Sequence, residues 1–537
     1  MGLTAETISK IITVVGDEYI TTEADMLHKY SRTTLKKNIV PAAIVKPGNK
    51  EELKRLVEVA NENSTKLYPI SKGKNWGYGS ACAVQNGQII VDLSRMNRII
   101  EVNADLAYAV IEPGVTQIQL VNYLREKNLP LILDCTGSGP EASIMGNVLD
   151  RGFGHTPYGD HYLNSCGMEV ILGDGRQITT GFGHYENAKT THTFKYGIGP
   201  SIDGLFTQSN FGIVTKVGIW LMPKPETCKM FQCSIPKDAD LAKIVEKLRP
   251  LKLDGRIKSL VHIGNDLRVM SSFERYPWEI ADNKTPLSDG LREILFKKGK
   301  FGAWNVSGAV YGSKKQVKLI LKDVKKALKD LGKVLIIGNN EIRLLKKCSD
   351  FFNRFDILPE LNTKLKVLDK VFGLLNGKPT EAFLFGTLWR VKGDLKTKST
   401  DPLDHNAGMM WISPIFPMTG EAATELTTIA NPIYKRHGFE PLITVSLLTE
   451  RTMVSVMTIA FDRNDPAETE RAGACYDELF YSFMDAGYPP YRTNIFTMKK
   501  LKENSKGFWN VTKSIKDVLD PNGIIAPGRY QPFDLNK

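Results

Sequence analysis

Residues 69–79 read Pro-Ile-Ser-Lys-Gly-Lys-Asn-Trp-Gly-Tyr-Gly and concentrate backbone freedom, donors and positive charge in one loop. Gly73, Gly77 and Gly79 admit positive φ and close approach to a ligand. Successive backbone N–H groups in such a loop form an anion-binding concavity. Ser71, Lys72, Lys74 and Asn75 add hydroxyl, ammonium and amide donors, framed by Pro69, Ile70 and Trp76. The chemistry this suits is the holding of a phosphate or pyrophosphate. An ordinary surface turn uses the same residue types. Neither a Walker A loop nor the G-x-G-x-x-G dinucleotide fingerprint occurs in the chain.

A second glycine-rich cluster runs from Gly137 to Gly159 and includes Ser143, Gly146, Asn147, Arg151, Gly154, His155 and Tyr158. A third, Gly204 to Lys216, sets Gly212 and Val214 at the start of a β-rich run. One extended ligand contacted by several backbone segments accounts for all three clusters together. His155 titrates near neutrality and suits a general base or proton shuttle; it equally suits a hydrogen bond to a ligand or the core. His155, Asp160 and His161 fit no usual metal-ligand spacing, so no metal site is expected.

The elements that must position these clusters are mixed α and β from about 40 to 225. A helix over Lys50–Asn63 carries Leu53, Leu56, Val57 and Ala60 on one face. Short β-rich runs follow at Gln88–Leu93, Ala107–Glu112, Met168–Leu172 and Ile213–Met222. Gly173-Asp174-Gly175 marks a hairpin turn into Gln177–Thr180. Pro223-Lys-Pro-Glu226 punctuates the chain and is read as a domain boundary. Residues 1–40 read as a helical lead-in, and 226–480 alternate strands with helices in an α+β manner. Two helices carry clear start signals: Ser313 with Gln316 as a capping box, and Asp465 with Pro466 for a helix running to about Ala486. Residues 487–537 are too few for a domain and are expected to pack back onto an earlier one.

The chain has 537 residues, enough for two or three domains. Its seven cysteines are scattered without a CxxC pair, which suggests a reducing, cytoplasmic compartment and no zinc site. The net charge of +12 is dispersed, and its densest lysine run covers the solvent side of one amphipathic helix, Ser313–Leu331. Nucleic-acid binding is therefore not expected. No run of apolar residues is long enough to span a membrane, and no secretory signal is expected. Glu6 breaks the myristoylation pattern, and the terminal Leu-Asn-Lys is no peroxisomal address.

Several of these stretches together resemble one family. They are the loop 69–79, Ile111-Glu-Pro-Gly-Val115, Gly154-His-Thr-Pro-Tyr-Gly-Asp-His161, Asp203 to Lys216, and Gly523-Ile-Ile-Ala-Pro-Gly528. The family is that of the vanillyl-alcohol oxidase and p-cresol methylhydroxylase flavoproteins. The resemblance implies a two-lobed α+β protein: an FAD-binding lobe of two α+β subdomains at 1–225, an α+β cap over the substrate at 226–486, and a C-terminal segment at 487–537 returning to the first lobe. It implies FAD along Pro69–Gly79 and Gly146, Asn147, Arg151, Gly154 and Val214. Gly137, Ser143, His155, Tyr158, Gly159, Gly212 and Arg529 join the cofactor set.

In the family's phenol-oxidising members two tyrosines and an arginine bind the phenolic oxygen. Tyr78, Tyr491 and Arg492 match them. The implied activity is oxidation of a para-substituted phenol, with a hydride passing from the para carbon to flavin N5 through a quinone methide. Hydroxylation, alcohol oxidation, desaturation and oxidative decarboxylation all share that step. Two departures matter. Ser138 stands where the oxidases carry an aspartate, an acid the dehydrogenases also lack, which leaves the base open and counts against simple vanillyl-alcohol-type oxidation. Met409 stands where the oxidases tether FAD through histidine, and a thioether cannot form that bond. His405 lies four residues upstream. Non-covalent FAD is expected, with oxygen or an electron-transfer protein as acceptor and a homodimer as assembly. The alternatives are an FAD oxidase of a non-phenolic alcohol and an electron-transfer subunit without turnover.

Overall fold

Asn49 caps the helix Lys50–Glu62 by accepting from the Glu52 N–H at 2.9 Å, and its apolar face, Leu53, Leu56, Val57 and Ala60, is fully buried. The computed structural model describes residues 3–299, 301–344, 359–395, 397–501 and 507–532, with the side chains of 359–364 and 366 outside it. Met1-Gly2 and Leu535-Asn536-Lys537, on which the lipidation and targeting expectations bear, also lie outside the described residues. The helix covers a small sheet ordered Ile20–Thr21, Ala43–Val45, Ile89–Asp92, Leu67–Ile70, whose last three strands run parallel. The loop 71–79 leaves the carboxyl end of the edge strand, where open α/β sheets bind ligands.

A second sheet is antiparallel, in the order Ile99–Asn103, Tyr108–Ile111, Gly212–Trp220, Ser165–Leu172, Gln177–Thr179. Its hairpin pairs Glu169 with Thr179 across the Gly173–Gly175 turn, as the sequence predicts. The lead-in is only partly helical: Ala5–Val15 and Ala24–Ser31 are helices, but Ile20–Thr21 joins the first sheet.

Beyond Glu226 the chain enters an antiparallel sheet ordered Val334–Ile337, Thr227–Ile235, Trp304–Gly312, Val261–Asn265, Leu442–Leu447, Thr452–Asp462, Ala407–Ile412. Helices Leu241–Leu253, Lys314–Leu328, Gly420–Arg436 and Pro466–Asp485 pack together behind it. Ser313 and Gln316 form the reciprocal capping box, and Asp465 caps its helix through the Ala467 and Glu468 N–H groups. Side chains alternate along each strand. Phe231, Cys233, Val306, Ile263 and Val445 therefore enter the helix-side core, while their neighbours face the other way.

The C-terminal segment lies against the first sheet. Leu67 donates to the Ile524 carbonyl at 2.8 Å and accepts from the Ala526 N–H at 2.7 Å. Buried Lys516 donates to the Ile525 carbonyl at 2.9 Å, and Asp520 accepts from the Ile524 and Ile525 N–H groups. These bonds bring Arg529 to the loop 71–79, and the Ile495 N–H, donating to the Tyr78 carbonyl at 3.0 Å, brings the segment carrying Tyr491 and Arg492 there. No helix among the described residues is long and apolar enough to cross a membrane.

Candidate active site

Two cavities meet at Ser138, Asn147, Trp411 and Arg492, which line both. The first, about 180 Å³, is walled by Tyr68–Trp76, Ser143, Gly146, Gly212, Val214 and Arg529. The backbone N–H groups of Ser71 to Trp76 find no acceptor among the described residues. Trp76 Nε1, Ser80 Oγ and Arg492 Nε are buried without a partner, and all three residues line this cavity. Gly73 holds the loop at φ +64, a conformation glycine takes without strain. The three buried donors are costly unless a polar ligand accepts from them, and the half-buried N–H groups beside them face the same cavity. The donor set calls for an extended anion.

Asp150 organises the floor. Its carboxylate takes Arg529, accepts from Asn75 Nδ2 at 3.1 Å, and stands 3.9 Å from Arg492 Nη1. The sequence reading places its neighbour, Arg151, along the cofactor; its side chain lines neither cavity. Arg151 turns to φ +51 just past the helix Ile144–Leu149, lies exposed and donates to Thr207 Oγ1 at 2.9 Å.

The second cavity, about 560 Å³, is lined by Tyr78, Gly137, Gly154, His155, Tyr491 and many residues of the large sheet. At its junction with the first, the Arg492 guanidinium lies 3.7 Å from the centre of the Tyr78 ring and 5.7 Å from that of Tyr491. Tyr78 Oη and Ser413 Oγ share a hydrogen bond of 2.8 Å. Burial drives the Tyr491 hydroxyl well above the usual phenol range, against the pull of Arg492, so it stays a donor at neutral pH. Trp411 packs edge-on to Tyr78 with ring centres 5.6 Å apart.

His155 Nδ1 faces His262 Nε2 at 2.9 Å, and His262 Nδ1 reaches Ser446 Oγ at 2.8 Å. Burial lowers both imidazoles, His262 to about 3 with His155 and Arg268 adding to the shift. Both are neutral at pH 7, so one proton serves the two facing nitrogens. The backbone of this wall is pinned by Asp134, which the sequence reading missed. Its carboxylate accepts from the His155 N–H at 3.1 Å, the Thr156 N–H at 2.6 Å and His161 Nε2 at 3.0 Å. Burial alone would raise this carboxyl; His161 and Thr156 outweigh it and hold it below the ordinary value. Asp134 lies just upstream of Ser138, the position where the oxidases carry an aspartate.

Five further residues expected at the site line neither cavity: Gly77, Gly79, Tyr158 and Gly159 with Arg151. Their glycines serve packing. A Cβ on Gly77 would meet the Trp411 ring at 3.0 Å, one on Gly79 would meet Ile495 at 2.7 Å, and one on Gly159 would meet Leu260 at 2.7 Å. Gly154 lines the second cavity alone, and its Cβ would fall 1.4 Å from Asp134 Oδ1. Tyr158 caps a turn through its N–H to Thr156 Oγ1 at 3.1 Å.

The FAD binding domain family matches residues 41–181, and the C-terminal domain of FAD linked oxidases matches 452–530. The chain is 35% identical to the 1'-carboxy-chondrochloren decarboxylase of Chondromyces crocatus, over 96% of this chain and 95% of that one. It is 34% identical to the 4-cresol dehydrogenase [hydroxylating] flavoprotein subunit of Pseudomonas putida, over 98% and 95%. The chain belongs to the vanillyl-alcohol oxidase and p-cresol methylhydroxylase family. The fold agrees with p-cresol methylhydroxylase with substrate bound at a TM-score of 0.88, 33% identity, and coverage of 100% and 99%. It agrees with the 4-ethylphenol oxidase of Gulosibacter chungangensis at 0.89, 28% identity, and 99% of each chain. The protein is a two-lobed, FAD-dependent oxidoreductase. The unpartnered N–H groups of the first cavity fit the pyrophosphate of that cofactor, and the junction with the second cavity fits its reactive end.

Proposed function

We propose that this flavoprotein oxidises para-substituted phenols at the carbon attached to the ring. The observation carrying this reading is the grouping of Arg492, Tyr78 and Tyr491 at one end of a cavity whose lining, among the described residues, holds no carboxylate. A free phenol has a pKa of about 10, so roughly 0.1% is ionised at pH 7. A charge-assisted hydrogen bond from Arg492 is worth about 1.5–3 kcal/mol and a hydroxyl donor about 1. Together they lower the bound phenol by about 2–3 units, which makes the phenolate a major species. The phenolate pushes electron density to the para carbon. Bound FAD supplies the hydride acceptor for that carbon, and the substrate is left as a quinone methide. His155 and His262 lie along the same wall; a proton taken at His155 leaves the pair with one positive charge until it is returned, and the neutral pair can hydrogen-bond the substrate beforehand. The relatives' names, a cresol dehydrogenase and an ethylphenol oxidase, support the substrate class.

The reading assigns FAD binding to 1–225, the substrate cap to 226–486 and the returning segment to 487–537. Anaerobic mixing with 4-alkylphenols is expected to bleach the flavin, and the matching methyl ethers, which cannot ionise, are expected not to. Equal bleaching by both series would point to a non-phenolic alcohol oxidase; none by either, to a subunit without turnover.

FAD in this reading is held without a covalent bond to the cap. Met409 packs against Trp76 and Leu384, and His405 is buried with Nε2 2.8 Å from the Ser399 carbonyl. Neither residue lines either of these two cavities. Acid precipitation should therefore release the yellow colour into the supernatant. A pellet that stays yellow, with a flavin-shifted peptide containing His405 or any other residue, refutes it.

A further inference from the structure

The second cavity is lined by two guanidinium groups, Arg492 and Arg268, and by no acidic side chain among the described residues. Arg492 has Asp150 behind it. Arg268 has only neutral partners among the described residues: its Nη1 donates to Ser271 Oγ at 3.2 Å and Ser272 Oγ at 2.9 Å. Burial lowers its pKa, and among the described residues no neighbouring charge opposes the shift. A buried cation is costly without a counter-charge, and the neighbouring His262 is neutral. The fold makes room for this one. A Cβ on Gly386 would come 3.1 Å from Arg268 Nη1.

The same short helix, Ala382–Leu388, relates Arg268 to the reacting end. Phe383 lies against Gly137, beside Ser138 where the two cavities meet, and Gly386 lies against Arg268. At about 2 Å rise per residue the three steps from Phe383 to Gly386 rise about 6 Å along this helix, which sets both contacts on one wall of the cavity. A single planar guanidinium with hydroxyls beside it, and neither a lysine nor a loop of free N–H groups, matches a carboxylate better than a phosphate.

We propose that the substrate's para side chain ends in a carboxylate and that Arg268 pairs with it. This rests on the phenol reading of the same cavity.

The holoenzyme tests it with 3-(4-hydroxyphenyl)propanoate against 4-propylphenol, which share shape and differ in charge. The wild type is expected to favour the acid by about tenfold to a hundredfold in kcat/KM, through KM. Arg268→Gln should erase that preference while keeping its FAD and its rate on 4-propylphenol, and Arg268→Lys should restore part of it. No preference in the wild type, or one that survives in Arg268→Gln, overturns the proposal. Binding of 3-phenylpropanoate, followed by the flavin difference spectrum, separates the two readings. If no phenol reduces the flavin yet this acid binds in an Arg268-dependent way, the phenol reading fails and the carboxylate site stands. If it binds equally to both proteins, the carboxylate site fails.

Discussion

Arg492→Ala is expected to slow flavin reduction by phenols by about tenfold to a hundredfold or more, because a buried charge-assisted contact worth about 1.5–3 kcal/mol is made with the phenolate. The loss should appear in the reduction rate measured anaerobically by stopped flow. FAD content should hold, since Asp150 keeps Arg529 and Asn75 after the substitution. Tyr491→Phe removes a hydroxyl donor to the same anion, so its loss should be of the same order, about tenfold to a hundredfold. Raising the pH should partly rescue Arg492→Ala, because bulk phenolate then replaces phenolate made in the site. Unchanged reduction in Arg492→Ala would show that this guanidinium does not stabilise the reacting anion.

Asp134→Ala carries the largest expected cost in stability. Three donors converge on this buried carboxylate from His155, Thr156 and His161. Breaking a buried charged network by removing one member costs about 3–5 kcal/mol. At about 2–4 °C per kcal/mol for a large domain, the melting temperature should fall by about 6–20 °C. Gly154→Ala should behave similarly, since its Cβ would fall 1.4 Å from Asp134 Oδ1. The pH dependence has a definite sign. The folded pKa of Asp134 lies below its unfolded value of about 3.9. Its contribution is therefore complete above about pH 4 and is lost as the pH falls through the folded pKa. Asp134→Asn should unfold with a shallower acid limb than the wild type, as read by circular dichroism between pH 2 and 5. An unchanged melting temperature in Asp134→Ala would remove this residue from the supports of the His155 wall.

What the sequence determined is what local rules govern. Asn49 and Ser313 start helices through contacts three residues away, and the Gly173–Gly175 hairpin is closed by neighbours. The loop 71–76 shows its anion chemistry in its own residue types, because the groups that would hold the ligand are its own backbone. Tyr78, Tyr491 and Arg492 were legible only through the resemblance; nothing local distinguishes a Tyr-Arg dipeptide.

The sequence does not show which way a single residue faces. Asp150 faces the cavity and Arg151 does not, because a left-handed turn intervenes. Gly77 and Gly159 look like ligand-approach glycines but make room for Trp411 and Leu260.

Only the tertiary structure decided what the cap presents. Strand pairing sets Gln232, Ser307, His262 and Ser446 in register across four adjacent strands, and Ser234, Asn305, Gly264 and Thr444 in the next row. Both rows line the cavity. Each strand by itself shows only an alternation of apolar and small polar residues, which would serve equally for a face turned to water. Pairing joins residues far apart in the chain, and the order of strands is a non-local choice made by burying Phe231, Ile263 and Val445 behind the sheet. That choice brings His262 within 2.9 Å of His155 and leaves Arg268 facing a cavity whose lining, among the described residues, holds no acid.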